Sequence, residues 1–83
     1  IQELDSTHYM PVLFPNPANN ILYVLDNKYK SYDLEIYDVL GNLILKKATT
    51  NSINLSSLSN GIYSCRVIYN EKIMASEKVI VIH

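Results

Sequence analysis

The sequence predicts an all-β fold, an antiparallel β-sandwich of about seven strands, on three observations. Short segments rich in Val, Ile, Leu and Tyr recur roughly every ten residues. They are separated by Asn, Ser, Gly, Asp and Pro, residues whose backbone habits favour turns. No stretch carries the apolar period of a long amphipathic helix. At 83 residues, 48% hydrophobic and 18% charged, the chain is apolar enough to fold and long enough for one core but not two.

The first strand is expected at Val12–Phe14. It ends there because Pro15 and Pro17 fix φ and remove two backbone donors, so Phe14-Pro15-Asn16-Pro17 reads as an extended bend outside the sheet. Residues 1–11 before it read as an extension or linker, and 12–83 as the domain. The second strand is placed at Ile21–Leu25, with Leu22 and Val24 facing the core; Ile21 and Leu25 also want burial and are expected under loops. Strands follow at 32–39, with Leu34 and Ile36 inward, and at 43–47. Gly41-Asn42 between them suits a tight two-residue hairpin, since both tolerate positive φ. Asp38 is expected to shape the approach to that turn through its local hydrogen-bonding habit. The remaining strands are expected at 52–55 (Ile53 and Leu55 inward), at 62–69 (Tyr63, Cys65 and Val67 inward) and at 72–82, with a break near Ser76. Asn70-Glu71 joins the last two.

Composition also excludes function classes. A net charge of −1 supplies no basic field for nucleic-acid phosphates or an anionic bilayer. The longest apolar runs, Ile21–Leu25 and residues 79–82, are too short to span a bilayer as a helix, so no membrane insertion is expected. Cys65 is the single cysteine, which rules out an internal disulfide and a cysteine-rich zinc site. His8 and His83 are the only histidines and read as solvated residues near the two ends, so no metal site, no cofactor and no Ser-His-acid centre is expected. Asp33 and Glu35 share one side of a strand with Asp38 on the other, which argues against a catalytic carboxylate pair. Cys65, at an inferred core position, reads as a packing residue. Outward Tyr23, Tyr37 and Tyr69 read first as sheet-stabilising cross-strand aromatics and second as sugar-stacking rings.

Two resemblances sharpen this reading. In Ser59-Asn60-Gly61-Ile62-Tyr63-Ser64-Cys65 a Tyr precedes a Cys by two residues, as at the corner of an immunoglobulin domain, where the Tyr hydroxyl bonds back to the upstream loop. This makes the expected sandwich immunoglobulin-like. A wider pattern covers most of the chain: Phe14-Pro15-Asn16-Pro17-Ala18 with Leu22 and Val24; Ile36-Tyr37-Asp38-Val39-Leu40-Gly41-Asn42; Ile53-Asn54-Leu55-Ser56; Gly61-Ile62-Tyr63; and Lys78-Val79-Ile80-Val81. In order and spacing it resembles the type A C-terminal sorting domain of the type IX secretion system. Phe14 stands where the family usually has Tyr, Asn42 where it has a basic residue, and Val81-Ile82-His83 where it has a Lys near the end.

The resemblance implies a targeting module and no enzyme. It implies a larger cargo that crosses the inner membrane on a separate signal and is then directed through an outer-membrane translocon with its shuttle proteins. It further implies removal of the domain by a sortase-like peptidase at the cell surface, and a secreted or surface location on a Gram-negative bacterium. The residues it singles out are Pro15, Asn16, Pro17, Asp38, Gly41, Gly61, Tyr63, Lys78, Val79, Ile80 and Val81. A physical route to recognition is strand addition at a sheet edge, with Val12–Phe14 or residues 78–82 as the docking edge. The alternative is an immunoglobulin-like accessory module of an extracellular enzyme or adhesin that binds polysaccharide.

Overall fold

A computed structural model describes residues 11–25 and 31–83. His8 and all of the expected extension except Pro11 lie outside the described residues. Among those residues there is no helix. Seven strands form: β1 (Val12–Phe14), β2 (Ile21–Leu25), β3 (Tyr32–Tyr37), β4 (Leu43–Thr50), β5 (Ser52–Asn54), β6 (Gly61–Tyr69) and β7 (Lys72–Val81). They pair antiparallel into a three-stranded sheet, β1-β2-β5, and a four-stranded sheet, β4-β3-β6-β7. This is the predicted sandwich.

Period-two alternation builds the core. Leu22 and Val24 of β2, Leu34 and Ile36 of β3, Ile53 of β5, Leu55, and Cys65 and Val67 of β6 are buried as expected, with Tyr63 packed against them half-buried. Leu13, Ala18, Tyr32, Ala75, Val79 and Val81 complete the cluster. Ile21 and Leu25 are exposed rather than covered by loops. They share the outer face of the three-stranded sheet with Val12, Phe14 and Tyr23, and Phe14 stacks on its cross-strand partner Tyr23 at 5.5 Å between ring centroids.

The turns correct three boundaries. β3 stops at Tyr37, two residues early, because the Asp38 side chain captures the backbone ahead of it: its Oδ1 accepts from the N–H of Leu40 (3.0 Å) and of Asn42 (2.9 Å). The hairpin is therefore a three-residue loop, Val39-Leu40-Gly41, and not the expected two-residue Gly41-Asn42 turn. Asp38 N–H donates to the Asn42 carbonyl at 3.0 Å to close it. Gly41 sits at φ 89°, where a side chain would be strained although its Cβ would meet open space. β4 runs three residues beyond the expected end, to Thr50.

Asn70 (φ 54°) and Glu71 (φ 66°) make the β6–β7 turn, both left-handed as the mirror-image hairpin turns require. The last strand does not break at Ser76. Its irregularity lies nearer the turn, where Val67 faces Ala75 and Ile68 faces Ile73, leaving Met74 as the extra residue of a bulge.

Candidate functional site

The Pro-Asn-Pro bend leaves β1, crosses between the sheets and lies along the outer edge of β7. Both X–Pro bonds in it, Phe14–Pro15 and Asn16–Pro17, are cis. Asn16 binds the edge through its side-chain amide: Nδ2 donates to the Lys78 carbonyl at 2.9 Å, and Oδ1 accepts from the Ile80 N–H at 3.0 Å. Ala18 continues with its backbone, donating to the Ile80 carbonyl (2.7 Å) and accepting from the Ile82 N–H (2.9 Å), a short parallel bridge opposite Val81. The primary amide thus stands in for a strand residue where two prolines leave the chain without backbone donors. Ala18 is buried where it meets the edge of β7.

This strap corrects one expectation. The Lys78-to-Ile82 edge, expected to be open for strand addition, already has its outward N–H and C=O groups bonded to Asn16 and Ala18. Glu77, which follows the inward parity of Val79 and Val81 yet stays exposed, puts a charge on the stretch just before the strap. Inward-pointing charge at an edge is a known guard against unwanted pairing.

The expected tyrosine corner is present. Tyr63 Oη donates to the Ser59 carbonyl at 2.7 Å and lies 3.3 Å from Ser59 Oγ. A Cβ added to Gly61 would lie 3.7 Å from the Tyr63 ring, ordinary contact, so Gly61 is placed beside the ring without being required by it. His83 is exposed, as expected, and is also tethered. Its N–H donates to Asn60 Oδ1 (2.9 Å), its Nε2 lies 2.6 Å from the Leu58 carbonyl, and its Nδ1 lies 3.3 Å from Asn19 Oδ1. The end of the last strand is thereby fastened to the same corner.

The residues singled out by sequence fall into two groups. Asn16, Lys78 and Ile80 meet at the strap, with Val79 and Val81 buried beneath it. Asp38, Tyr63 and Lys78 line an open concavity of about 320 Å³ on the outer side of β6 and β7. Gly41 and Gly61 lie outside both. Ala18, Asn19, Asn60 and His83 were not singled out, and their partners lie far along the chain, where spacing carries no signal.

The titratable groups act in structure. The hydrogen bonds from Asn42, backbone and side chain, hold the Asp38 carboxyl below its ordinary range against a smaller opposing effect of desolvation. Tyr37 donates to Glu35 Oε1 at 2.5 Å with the Arg66 guanidinium 4.7 Å above its ring, and that bond to a carboxylate raises its phenol above the ordinary 10.0. Cys65 is buried, and desolvation, with the Glu77 charge behind it, pushes its thiol up to about 12. Among the described residues no cluster of His, Cys, Asp and Glu is placed to hold a metal.

The fold and this site define a small immunoglobulin-like module whose distinctive side chains bind its own backbone and fix its outline. Residues 12–82 match the family described as the secretion system C-terminal sorting domain, and the chain belongs to that family. It is a sorting signal for type IX secretion. The match lends no support to the polysaccharide-binding alternative. No curated protein matches the chain.

Proposed function

We propose that the export machinery reads the folded outline of residues 12–83, with residues 1–11 as the linker to the cargo. The observation that carries this reading is the strap. Asn16, between Pro15 and Pro17, spends its side-chain amide on the backbone of Lys78 and Ile80, and Val79 and Val81 are buried beneath it. Asp38 and Gly41 similarly set a turn, and Tyr63 a corner with Gly61 beside its ring. In this reading the partners are an outer-membrane translocon and its shuttle proteins, and a sortase-like surface peptidase removes the module. The cargo passes through the periplasm and ends at the cell surface or in the medium of a Gram-negative bacterium. The module itself carries out no chemistry.

The test is a fusion of signal peptide, fluorescent protein and this chain, expressed in a host with the secretion system. Fluorescence at the surface or in the medium is the expected result, and retention in the periplasm refutes the reading. An Asn16→Ala fusion, with the strap loosened, is expected to be exported less efficiently than the parent.

A further inference from the structure

Four strands lie at sheet edges, and the structure treats them unequally. β1 and β5 have three residues each, and β7 is closed by the strap over its final third. β4 is the one long edge that no described strand covers, eight residues with every side chain at least partly exposed. Every second residue of such a strand turns its N–H and C=O away from the sheet, toward whatever lies alongside.

β4 also has a chemical gradient along its length. At its start Leu43 and Ile44 are exposed, next to a hairpin tip where Val39 is 75% and Leu40 83% exposed. One residue further on come Lys46 and Lys47. Lys46 has only a loose contact with Glu35, 3.9 Å with its own side chain 57% exposed. The acids on the far side, Asp33 and Glu35, belong to β3. Both carboxylates turn toward β4, Glu35 to Lys46 at 3.9 Å and Asp33 Oδ1 to the Thr49 N–H at 3.0 Å, while Lys47 is exposed and has no carboxylate partner among the described residues. An added strand therefore meets Lys47 unpaired and Lys46 only loosely paired.

A second copy of β4 reads Leu-Ile-Leu-Lys-Lys-Ala-Thr-Thr and carries no carboxylate, so no twofold register gives Lys46 or Lys47 an acidic partner. We propose that β4 is a docking edge for an extended partner segment with two acidic residues, one intervening residue and two apolar residues, added antiparallel so that the acids face Lys46 and Lys47 and the apolar pair faces Leu43 and Ile44. The inference rests on the sorting reading, and names β4 as the surface through which the export machinery grips the module.

The probe is a capped, fluorescently labelled peptide of β4's length containing Glu-Glu-Thr-Ile-Ile, titrated with the 83-residue chain by anisotropy. Saturable binding is expected, weakened about tenfold or more by Lys46→Glu with Lys47→Glu. It is also expected to be abolished when alternate peptide amides are N-methylated, which removes strand pairing and keeps the charge. Equal binding of the N-methylated peptide, indifference to the double reversal, or concentration-dependent dimers of the chain without peptide would each overturn the proposal. Circular dichroism of the double variant confirms its fold, and Lys46→Gln with Lys47→Gln, expected to give an intermediate loss, provides a second series. In the export assay, a double reversal exported like the parent overturns this inference and leaves the sorting reading intact. Retention of the parent fusion refutes that reading instead.

Discussion

Asn16 and Ile80 are 64 residues apart in sequence, yet the side-chain carbonyl of one accepts from the backbone N–H of the other at 3.0 Å. With the companion bond from Asn16 Nδ2 to the Lys78 carbonyl, a single amide occupies two consecutive outward positions on the edge of β7. Replacing Asn16 by Ala removes both bonds at a partly solvated site, and the expected loss is about 1–3 kcal/mol. Asn16→Asp keeps the acceptor for Ile80 but sets a carboxylate against the Lys78 carbonyl, and is expected to destabilise comparably at neutral pH and less in acid. Urea unfolding together with amide exchange at Ile80 checks both.

At the β3–β4 hairpin the Asp38 carboxylate accepts from Leu40 and Asn42. Its folded-state titration lies below the ordinary 3.8. Its contribution is therefore complete above that ordinary value and is lost as pH falls through the lower folded value. Asp38→Ala is expected to be less stable than the parent at neutral pH, with the difference narrowing in acid, as denaturation midpoints across the acid range will measure.

Tyr63→Phe deletes the hydroxyl that binds the Ser59 carbonyl and leaves the ring in place. Since the bond is on the exposed side of the corner, the expected loss is about 1 kcal/mol, read as a lowered thermal midpoint with an unchanged β-sheet spectrum.

Cys65 gives a direct probe of unfolding. A thiol raised to about 12 and buried between the sheets is almost entirely protonated at pH 8, so alkylation of the folded chain is expected to be very slow. Full modification in denaturing urea, and little without it by mass spectrometry, is the expected pattern. Rapid labelling of the native chain would contradict the core placement.

The sequence disclosed those features whose causes are local. Alternation gave the inward residues of β2, β3 and β6, because a period of two is written into each strand. The tyrosine corner and the Asp38 turn were legible because donor and acceptor lie within four residues of each other. The strap was not legible beyond the statement that two prolines end a strand, since the partner of Asn16 sits at the other end of the chain. Asp38 itself misled the boundary of β3, as β-branched and aromatic propensity ran on through Val39 while a side-chain acceptor competed for the backbone. The tethering of exposed His83 was equally illegible, because its partners at Asn19, Leu58 and Asn60 come from two connections far from it in sequence.

The bonds from Asn16 and Ala18 to the last strand also close a ring around nearly the whole domain. Ring closure of this span carries an entropy cost that rises only slowly with length. A chain shortened by the final few residues keeps most of its apolar core sequence but leaves Asn16 and Ala18 with nothing to hold. β1 is held to β2 and β7 to β6 by their own ladders, and the strap then ties the two sheets together where the first strand leaves and the last one ends.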